Sequence, residues 1–312
     1  MRILVLGAAG FIGTNLLLSL SGNESNRITA VDQKREYFQH LSGLHLGNTE
    51  IMVRQMDEKT DFCPIVAGHD VVYHLLSTTV PTTSNLHISE ELSANVNLSA
   101  NLLEACVKEH VNKVVFLSSG GTVYGKEDQC PLNEKTPTNP ITSYGIQKIT
   151  IEKLLYLYHY LHGLDYRIIR LSNPYGPYQR PNGVLGAVST FTYKALKGEN
   201  ITVYGDGSVV RDFIYIDDAI RGIQKIVEGT NRHHTFNLGS GYGTSIRQVL
   251  DTIEKVLGVP LKIQYTESRK VDVPVNFLDI TRYETAYGSL HPISLSEGIQ
   301  KTACFMTGFY NL

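Results

Sequence analysis

Three glycines fall within seven residues, Gly7-Ala-Ala-Gly10-Phe11-Ile12-Gly13, directly between the apolar run Ile3 to Leu6 and the periodic apolar stretch Phe11 to Leu20. The run reads as a buried strand and the stretch as a helix, so the glycines form a strand-to-helix turn. Gly7 permits the tight turn, and Gly10 lets a ligand pyrophosphate approach the backbone at the helix N-terminus. Gly13 lets helix and sheet pack closely. A turn of this kind belongs to a parallel β-α-β unit and predicts a bound dinucleotide, with Phe11 and Ile12 in the same binding loop.

The alternation continues along the chain. Strands are expected at 28–31, 51–53, 71–75, 113–118 and 166–171, with helices at 91–109 and 144–162 between the later ones. Alternating strands and helices build a parallel sheet covered on both faces, so the fold class is α/β, a Rossmann-type doubly wound sheet. After Asn173 the pattern loosens into a loop with Pro174, Gly176, Pro177, Pro181 and Gly183, then helices near 184–197, 217–228 and 245–257, a strand at 261–265 and a helix after Ser294. A smaller mixed domain is expected over 173–312, with 1–172 as the dinucleotide-binding domain and part of 210–240 returning to it.

Asp32 closes the second strand, nineteen residues after Gly13. A carboxylate there accepts hydrogen bonds from the adenosine ribose hydroxyls and repels a 2′-phosphate, which favours NAD over NADP. A turn aspartate before Gln33-Lys34-Arg35 is the alternative, and those two cations could meet a phosphate. Asp57, at the end of the third strand, is placed to reach the adenine amino group or to face solvent.

The rest of the composition narrows the partners. A formal net charge of −2, without a basic tail or a run of like charges, offers no footprint for nucleic acid or an anionic membrane. The four cysteines, Cys63, Cys106, Cys130 and Cys304, include no Cys-x-x-Cys pair, so neither a disulfide framework nor a metal site is expected. No stretch of about 20 apolar residues could span a membrane, and a cytoplasmic protein is expected.

Tyr144 and Lys148 are four residues apart at the start of a predicted helix and share one face. A nearby ammonium favours the phenolate, which makes a tyrosine that ordinarily titrates near 10 a usable base.

With this pair in place the chain resembles the extended short-chain dehydrogenases/reductases, in particular the NAD-dependent sugar epimerase/dehydratase family and its UDP-glucose 4-epimerase-like members. The resemblance runs through GAAGFIG at 7–13, HLLS at 74–77, NVN at 95–97, SSGGTVYG at 118–125, YGIQK at 144–148, SNPYGP at 172–177, VYGDGSVVRDFIYIDD at 203–218 and RKVD at 269–272. It implies that Tyr144 is the base and that Lys148 holds the nicotinamide ribose and the tyrosine's ionisation. It further implies that Leu75, Leu76 and Ser77 line the dinucleotide and that Asn173 reaches a nucleotide-sugar. Tyr204 would pack on the pyrimidine, Arg211 and Arg269 would bind the diphosphate, and Asp272 would accept a ribose hydroxyl. Read singly, Arg211 and Asp212 are also a plausible surface pair, and Tyr204 a core residue.

One position departs from the family. Serine or threonine usually stands four residues before the VYG tyrosine; here that residue is Gly120. Thr122 takes over the role if the segment is extended, because residues two apart then point the same way. Dehydratases of the family carry Asp-Glu before VYG and decarboxylases a glutamate, whereas this chain has Gly121 and Thr122. The expected reaction is therefore 4-epimerisation of a UDP-hexose through a 4-keto sugar. A one-way reductase or dehydrogenase, a silent NAD(H)-binding protein and an enzyme for lipid-linked sugars are the alternatives. Four residues after Asp272, Asn276 matches a tyrosine gate beside the sugar's C2, so UDP-N-acetylhexosamines are expected as substrates too; capping a turn after Pro274 is its other role. Apolar residues on a second face of the helices at 91–109 and 144–162, among them Leu92, Leu98, Leu102, Ile151, Leu155 and Tyr158, point to a homodimer.

Overall fold

A computed structural model describes residues 1–44, 46–79, 84–181, 186–269 and 273–312. β1 (Arg2–Leu6) leads through the glycine turn into α1 (Phe11–Ser21), followed by β2 (Arg27–Asp32), β3 (Thr49–Val53), the short α2 (Cys63–Val66) and β4 (Val71–His74). The expected long helix from Glu91 is interrupted: α3 (Ile88–Leu92) and α4 (Leu98–Lys108) are joined by a π-helical turn, Ser93–Asn97. Then come β5 (Lys113–Ser119), α5 (Ser143–His162), β6 (Asp165–Leu171) and β7 (Asn173–Tyr175). The remainder is α6 (Ala187–Leu196), β8 (Ile201–Tyr204), β9 (Val210–Arg211), β10 (Phe213–Tyr215), α7 (Ile216–Glu228) and β11 (Thr235–Leu238). It ends with β12 (Thr244–Ser245), α8 (Ile246–Leu257), β13 (Ile263–Thr266), β14 (Val275–Asn276), α9 (Thr281–Tyr287) and α10 (Leu295–Tyr310).

Seven strands form one sheet in the order β11-β6-β5-β4-β1-β2-β3. The pairings that join β1 through β5 are parallel, with Ile3 facing Ile28 on one side and Val71 on the other. Strand order reverses between β1 and β4, and the carboxyl ends of strands at such a reversal are where open α/β sheets take their ligands. β11 joins the sheet alongside β6, with Ile168 donating its N–H to His234 at 2.7 Å and Ser172 to Leu238 at 2.9 Å. Helices cover the strands, which explains why Ile3, Leu4, Val5 and Leu6 are all buried without polar alternation. On one face Leu4, Val72 and Phe116 of the strands pack with Leu102 of α4 and with Ile151 and Leu155 of α5.

By contact density the chain divides into two units of comparable length. The first comprises Met1–Ser118, Thr142–Ile169 and Thr230–Thr235; the second comprises Ser119–Ile141, Arg170–Gly229 and Phe236–Leu312. The first ends earlier than residue 172 and gives up the segment Ser119–Ile141.

Within the second unit α10 packs on α6 and α8, and β12, β9 and β14 form a small sheet beside the pair β13 and β8. Ser245 starts α8 with a capping box shared with Gln248, an arrangement worth about 1 kcal/mol. Of the expected helix at 184–197, Gly183 of the preceding loop and residues 184 and 185 lie outside the described residues, and the helix begins at Ala187. No helix among the described residues is long and apolar enough to cross a membrane.

Candidate active site

The glycine turn is built as its spacing requires. Gly7 has φ +82°, a left-handed conformation that favours glycine, and a Cβ there would press on the Leu75 carbonyl oxygen at 3.1 Å and the Leu76 nitrogen at 3.4 Å. That close approach sets the backbone of Leu75 and Leu76, just past β4, against the turn. A Cβ on Gly13 would overlap the Gly7 carbonyl oxygen and stand 2.8 Å from the Ala8 Cα, so the helix can lie on the turn only as glycine. Gly10 precedes α1 with no side-chain cap and no acid in the helix's first turn, leaving its N–H groups and the positive end of its dipole open to an anion.

Asp32 folds back over this turn. One carboxylate oxygen accepts from the Ala9 N–H at 3.0 Å and the other from its own neighbour, the Gln33 N–H, at 2.8 Å. The carboxylate is thereby fixed at the glycine loop, with lone pairs left to accept ribose hydroxyls. Asp57 lies beyond β3, which ends at Val53, and is exposed. Its carboxylate accepts from the Lys59 N–H at 2.9 Å and the Thr60 hydroxyl at 3.0 Å, and these bonds hold it below the usual aspartate range. Ser77 donates its hydroxyl to the Thr79 carbonyl at 2.8 Å.

A residue not picked out as a ligand supports the same loop. Asn95, on the π-helical turn, donates from its amide to the Thr78 hydroxyl at 2.8 Å and accepts from the Thr78 N–H at 3.0 Å. Its NVN motif and the π-helical turn, a deviation that recurs at functional sites, are the signals for it.

The helix that carries Tyr144 and Lys148 starts at a true cap. The Thr142 hydroxyl accepts from the Gly145 N–H at 3.1 Å, and Gly163 ends the helix with φ +74°. Ser143 and Gln147 are tied to Asn85, Glu91 and Thr79, so the first turn is held on several sides. Lys148 is buried; its ammonium donates to the Leu117 carbonyl on β5 at 2.8 Å and sits 4.7 Å from the centre of the Phe116 ring and 5.4 Å from that of Tyr144. Burial pulls Lys148 down to about 8, opposed by the charge of Glu152. Burial also pushes Tyr144 up to about 12. The nearby ammonium and a bound nicotinamide cation are expected to lower the phenol; in the free chain desolvation raises it, because a buried phenolate loses its hydration.

The sugar-side candidates are described within the second unit. Ser119 to Thr122 is a turn and not an extended strand: the Thr122 and Val123 N–H groups both donate to the Ser119 carbonyl, at 3.3 and 3.1 Å. The alternation that led to Thr122 therefore does not apply, yet its hydroxyl oxygen is sealed from solvent with no hydrogen-bond partner among the described residues. Gly120 leaves no room for the family hydroxyl, since a Cβ there would come within 2.6 Å of the Leu278 side chain. The amide of Asn173 donates to the Asp212 carbonyl at 2.9 Å and lies beside Gly121.

Arg211 and Asn276 are direct partners across β9 and β14, and the Arg211 guanidinium donates to the Val210 and Val273 carbonyls at 2.8 and 2.6 Å. Asn276 is buried in that strand instead of capping a turn, and its amide donates to the Gly120 carbonyl at 3.4 Å. Asp212 forms no surface pair: it is fully buried and binds the Ser240 N–H and hydroxyl at 2.7 and 2.8 Å and the Leu278 N–H at 3.3 Å. Tyr204 is 47% exposed, which removes it from the core, and the Arg269 guanidinium lies 4.5 Å above its ring. Asp272 lies outside the described residues.

A reversed parallel sheet, a glycine turn at its switch point and a helix-borne Tyr-x-x-x-Lys pair define a nicotinamide-dinucleotide enzyme of the short-chain dehydrogenase/reductase type. Residues 3–239 match the family described as "NAD dependent epimerase/dehydratase family". The UDP-glucose 4-epimerase of Mycolicibacterium smegmatis is 31% identical over 98% of this chain and 98% of its own. Among solved structures, the UDP-glucose 4-epimerase of Thermotoga maritima with UDP-glucose superposes with a TM-score of 0.89 at 31% identity, covering 99% of this chain and 100% of that one. The UDP-N-acetylglucosamine 4-epimerase of Methanobrevibacter ruminantium, in complex with UDP-N-acetylmuramic acid, gives 0.88 at 28% identity over 98% of each chain. The chain belongs to the NAD-dependent epimerase/dehydratase family. Its cofactor is NAD, which the open helix end, the glycine cradle and the loop-bound Asp32 fit.

Gly13→Ala inserts a methyl group where the Gly7 and Ala8 backbone already sits, so the turn must move. The variant is expected to lose copurifying NAD, read by mass spectrometry after denaturation, and to melt at lower temperature than the wild type.

Proposed function

We propose that this chain is a UDP-hexose 4-epimerase, with the first unit binding NAD and the second binding the nucleotide-sugar. The observation that carries the reading is the buried Lys148 ammonium beside Tyr144 on α5, next to the glycine turn's own sheet. Tyr144 takes the proton of the sugar's 4-hydroxyl and later returns it to the 4-keto oxygen, acting as base and then acid. Lys148 favours the phenolate through its charge and offers donors to the nicotinamide ribose. NAD, which the glycine turn and Asp32 would hold, would supply the hydride acceptor and donor for the sugar and, when oxidised, a cationic charge that favours the phenolate. Thr122 is the hydroxyl best suited to accompany the proton, being buried and uncommitted where Leu278 excludes one at position 120. The turn at 119–122 carries no carboxylate, which favours epimerisation over elimination of the 6-hydroxyl.

On the sugar side, the guanidinium of Arg211 and that of Arg269 suit a diphosphate, Tyr204 offers a flat exposed ring to the uracil, and Asn173 and Asp272 are assigned to the sugar and ribose hydroxyls. The four cysteines, all free, fit a reducing cytoplasm. The test is turnover of UDP-glucose to UDP-galactose: Tyr144→Phe is expected to lower kcat by roughly 10²–10⁴-fold with NAD retained. Thr122→Val is expected to lower kcat at unchanged stability. Near-normal rates in Tyr144→Phe would overturn the mechanism.

Asn276 sets the breadth of the sugar pocket. One N–H of its amide donates to Gly120 at 3.4 Å, and room beside C2 comes from the small size of the residue. UDP-N-acetylglucosamine is expected to be epimerised alongside UDP-glucose, and Asn276→Tyr to lower the ratio of kcat/KM for the acetylated sugar over the plain one by steric overlap.

The homodimer is also part of this proposal, through a different set of residues from those the helical pattern suggested. Leu98, Leu102, Ile151 and Leu155 are core residues, while α5 turns Ile146, Leu157, Tyr160 and Leu161 outward, Tyr160 being 75% exposed. An apolar stripe of this kind suits a helix-to-helix interface between two copies. Light scattering is expected to give a dimer for the wild type at micromolar concentration and a monomer for Leu157→Asp/Tyr160→Asp.

A further inference from the structure

Lys148 is a cation in an interior position, and the bonds already described satisfy only part of its ammonium. Glu152 follows it by one helical turn on α5, on the same face, and the two side chains are both buried. The strand opposite binds them in step. Leu117 accepts from Lys148 at 2.8 Å, and Ser118, the next residue, donates its hydroxyl to Glu152 at 2.6 Å. Ser118 and Glu152 play no part in the chemistry assigned above. A buried carboxylate with a short hydrogen bond is costly to keep unless a nearby charge offsets its lost hydration.

We propose that Glu152 is a positioning residue for the reacting pair: one helical turn from Lys148 on the same buried face and anchored by Ser118, its carboxylate keeps the lysine an ammonium. The inference rests on Tyr144 and Lys148 being that pair. The negative charge that acts on Lys148 is that of Glu152. From β4, His74 is wholly buried, pushed down to about 3 by burial and by Lys148, and therefore neutral; it cannot supply a negative charge. From β6, Tyr166 is raised, first by burial and then by Tyr156 and Glu152, and stays neutral. From α5 itself, Tyr144 is raised by burial and is the group to be ionised. Burial already draws Lys148 toward neutrality, with Glu152 opposing. Without the carboxylate's charge the lysine gives up its proton at lower pH, and Tyr144 loses the cation that favours its phenolate over the alkaline half of the working range.

The measurement is the Lys148 titration, followed by NMR of the full-length protein carrying ¹³Cε-labelled lysine, the signal being assigned by its absence in Lys148→Ala. Glu152→Gln keeps the shape and can still accept from Ser118 but removes the charge; Ser118→Ala keeps the charge but removes the anchor. The Lys148 midpoint is expected to fall by about 1 unit in Glu152→Gln and by clearly less in Ser118→Ala, which loosens the carboxylate but leaves its charge. The alkaline limb of the kcat/KM profile with UDP-glucose should move down with it in Glu152→Gln, at a similar KM. An unchanged midpoint in Glu152→Gln, or an equal fall in both variants, would overturn the proposal, the second because it would mark general loosening of the helix. Because the titration is read without turnover, a wild-type chain inactive on UDP-sugars would refute the epimerase reading while leaving the role of Glu152 decided by the NMR.

Discussion

An ammonium group held in the interior of an apolar sheet-and-helix layer is the constraint around which the first unit is arranged. Removing Lys148 from water is unfavourable, and its pull down to about 8 expresses that cost. Around it the protein supplies a backbone carbonyl from β5, the face of Phe116 and the charge of Glu152. None of these can drift. The carbonyl belongs to a paired strand, Phe116 is locked in the core, and the start of α5 is tied by Thr142, Ser143 and Gln147. A rigid mount for the lysine is also a rigid mount for Tyr144, which stands one helical turn before it.

The second unit solves a different problem, that of holding several short strands and loops in register without a large sheet. Asp212 does this from a fully buried position. Its carboxylate gathers the loop at Ser240 and the segment at Leu278 just past β14, while its carbonyl holds Asn173. Burial raises Asp212 while those donors oppose the rise. Tyr124 plays a similar part lower in the unit, donating to Asn237 at 2.6 Å and accepting from Arg170 at 3.1 Å. Polar groups buried in this way specify one arrangement, because each alternative leaves a donor or acceptor unpaired. Gly120 belongs to the same economy of space: with Leu278 packed against it, the turn has no volume for a side chain at that position.

Much of this was legible in the chain order of residues. Glycine spacing between a strand and a helix, the carboxylate at the end of the next strand and the Tyr-x-x-x-Lys spacing are local features, governed by backbone geometry over a few residues. They sufficed for the α/β class, for NAD as the cofactor and for the placing of Tyr144 and Lys148 on one helix. The sequence also carried the family's motifs in order over nearly its whole length, and with them the epimerase reading. What it could not carry was anything set by contacts between distant residues. Placing Thr122 beside position 120 required 119–122 to be extended, whereas the Ser119 carbonyl captures two N–H groups there. Local order left Asn276 open to capping a turn and Asp212 to a surface pair because burial depends on residues about 150 and 30 to 70 positions away. The same holds for Tyr144: local spacing puts a cation near it, and only the packed interior decides that burial raises the phenol all the same.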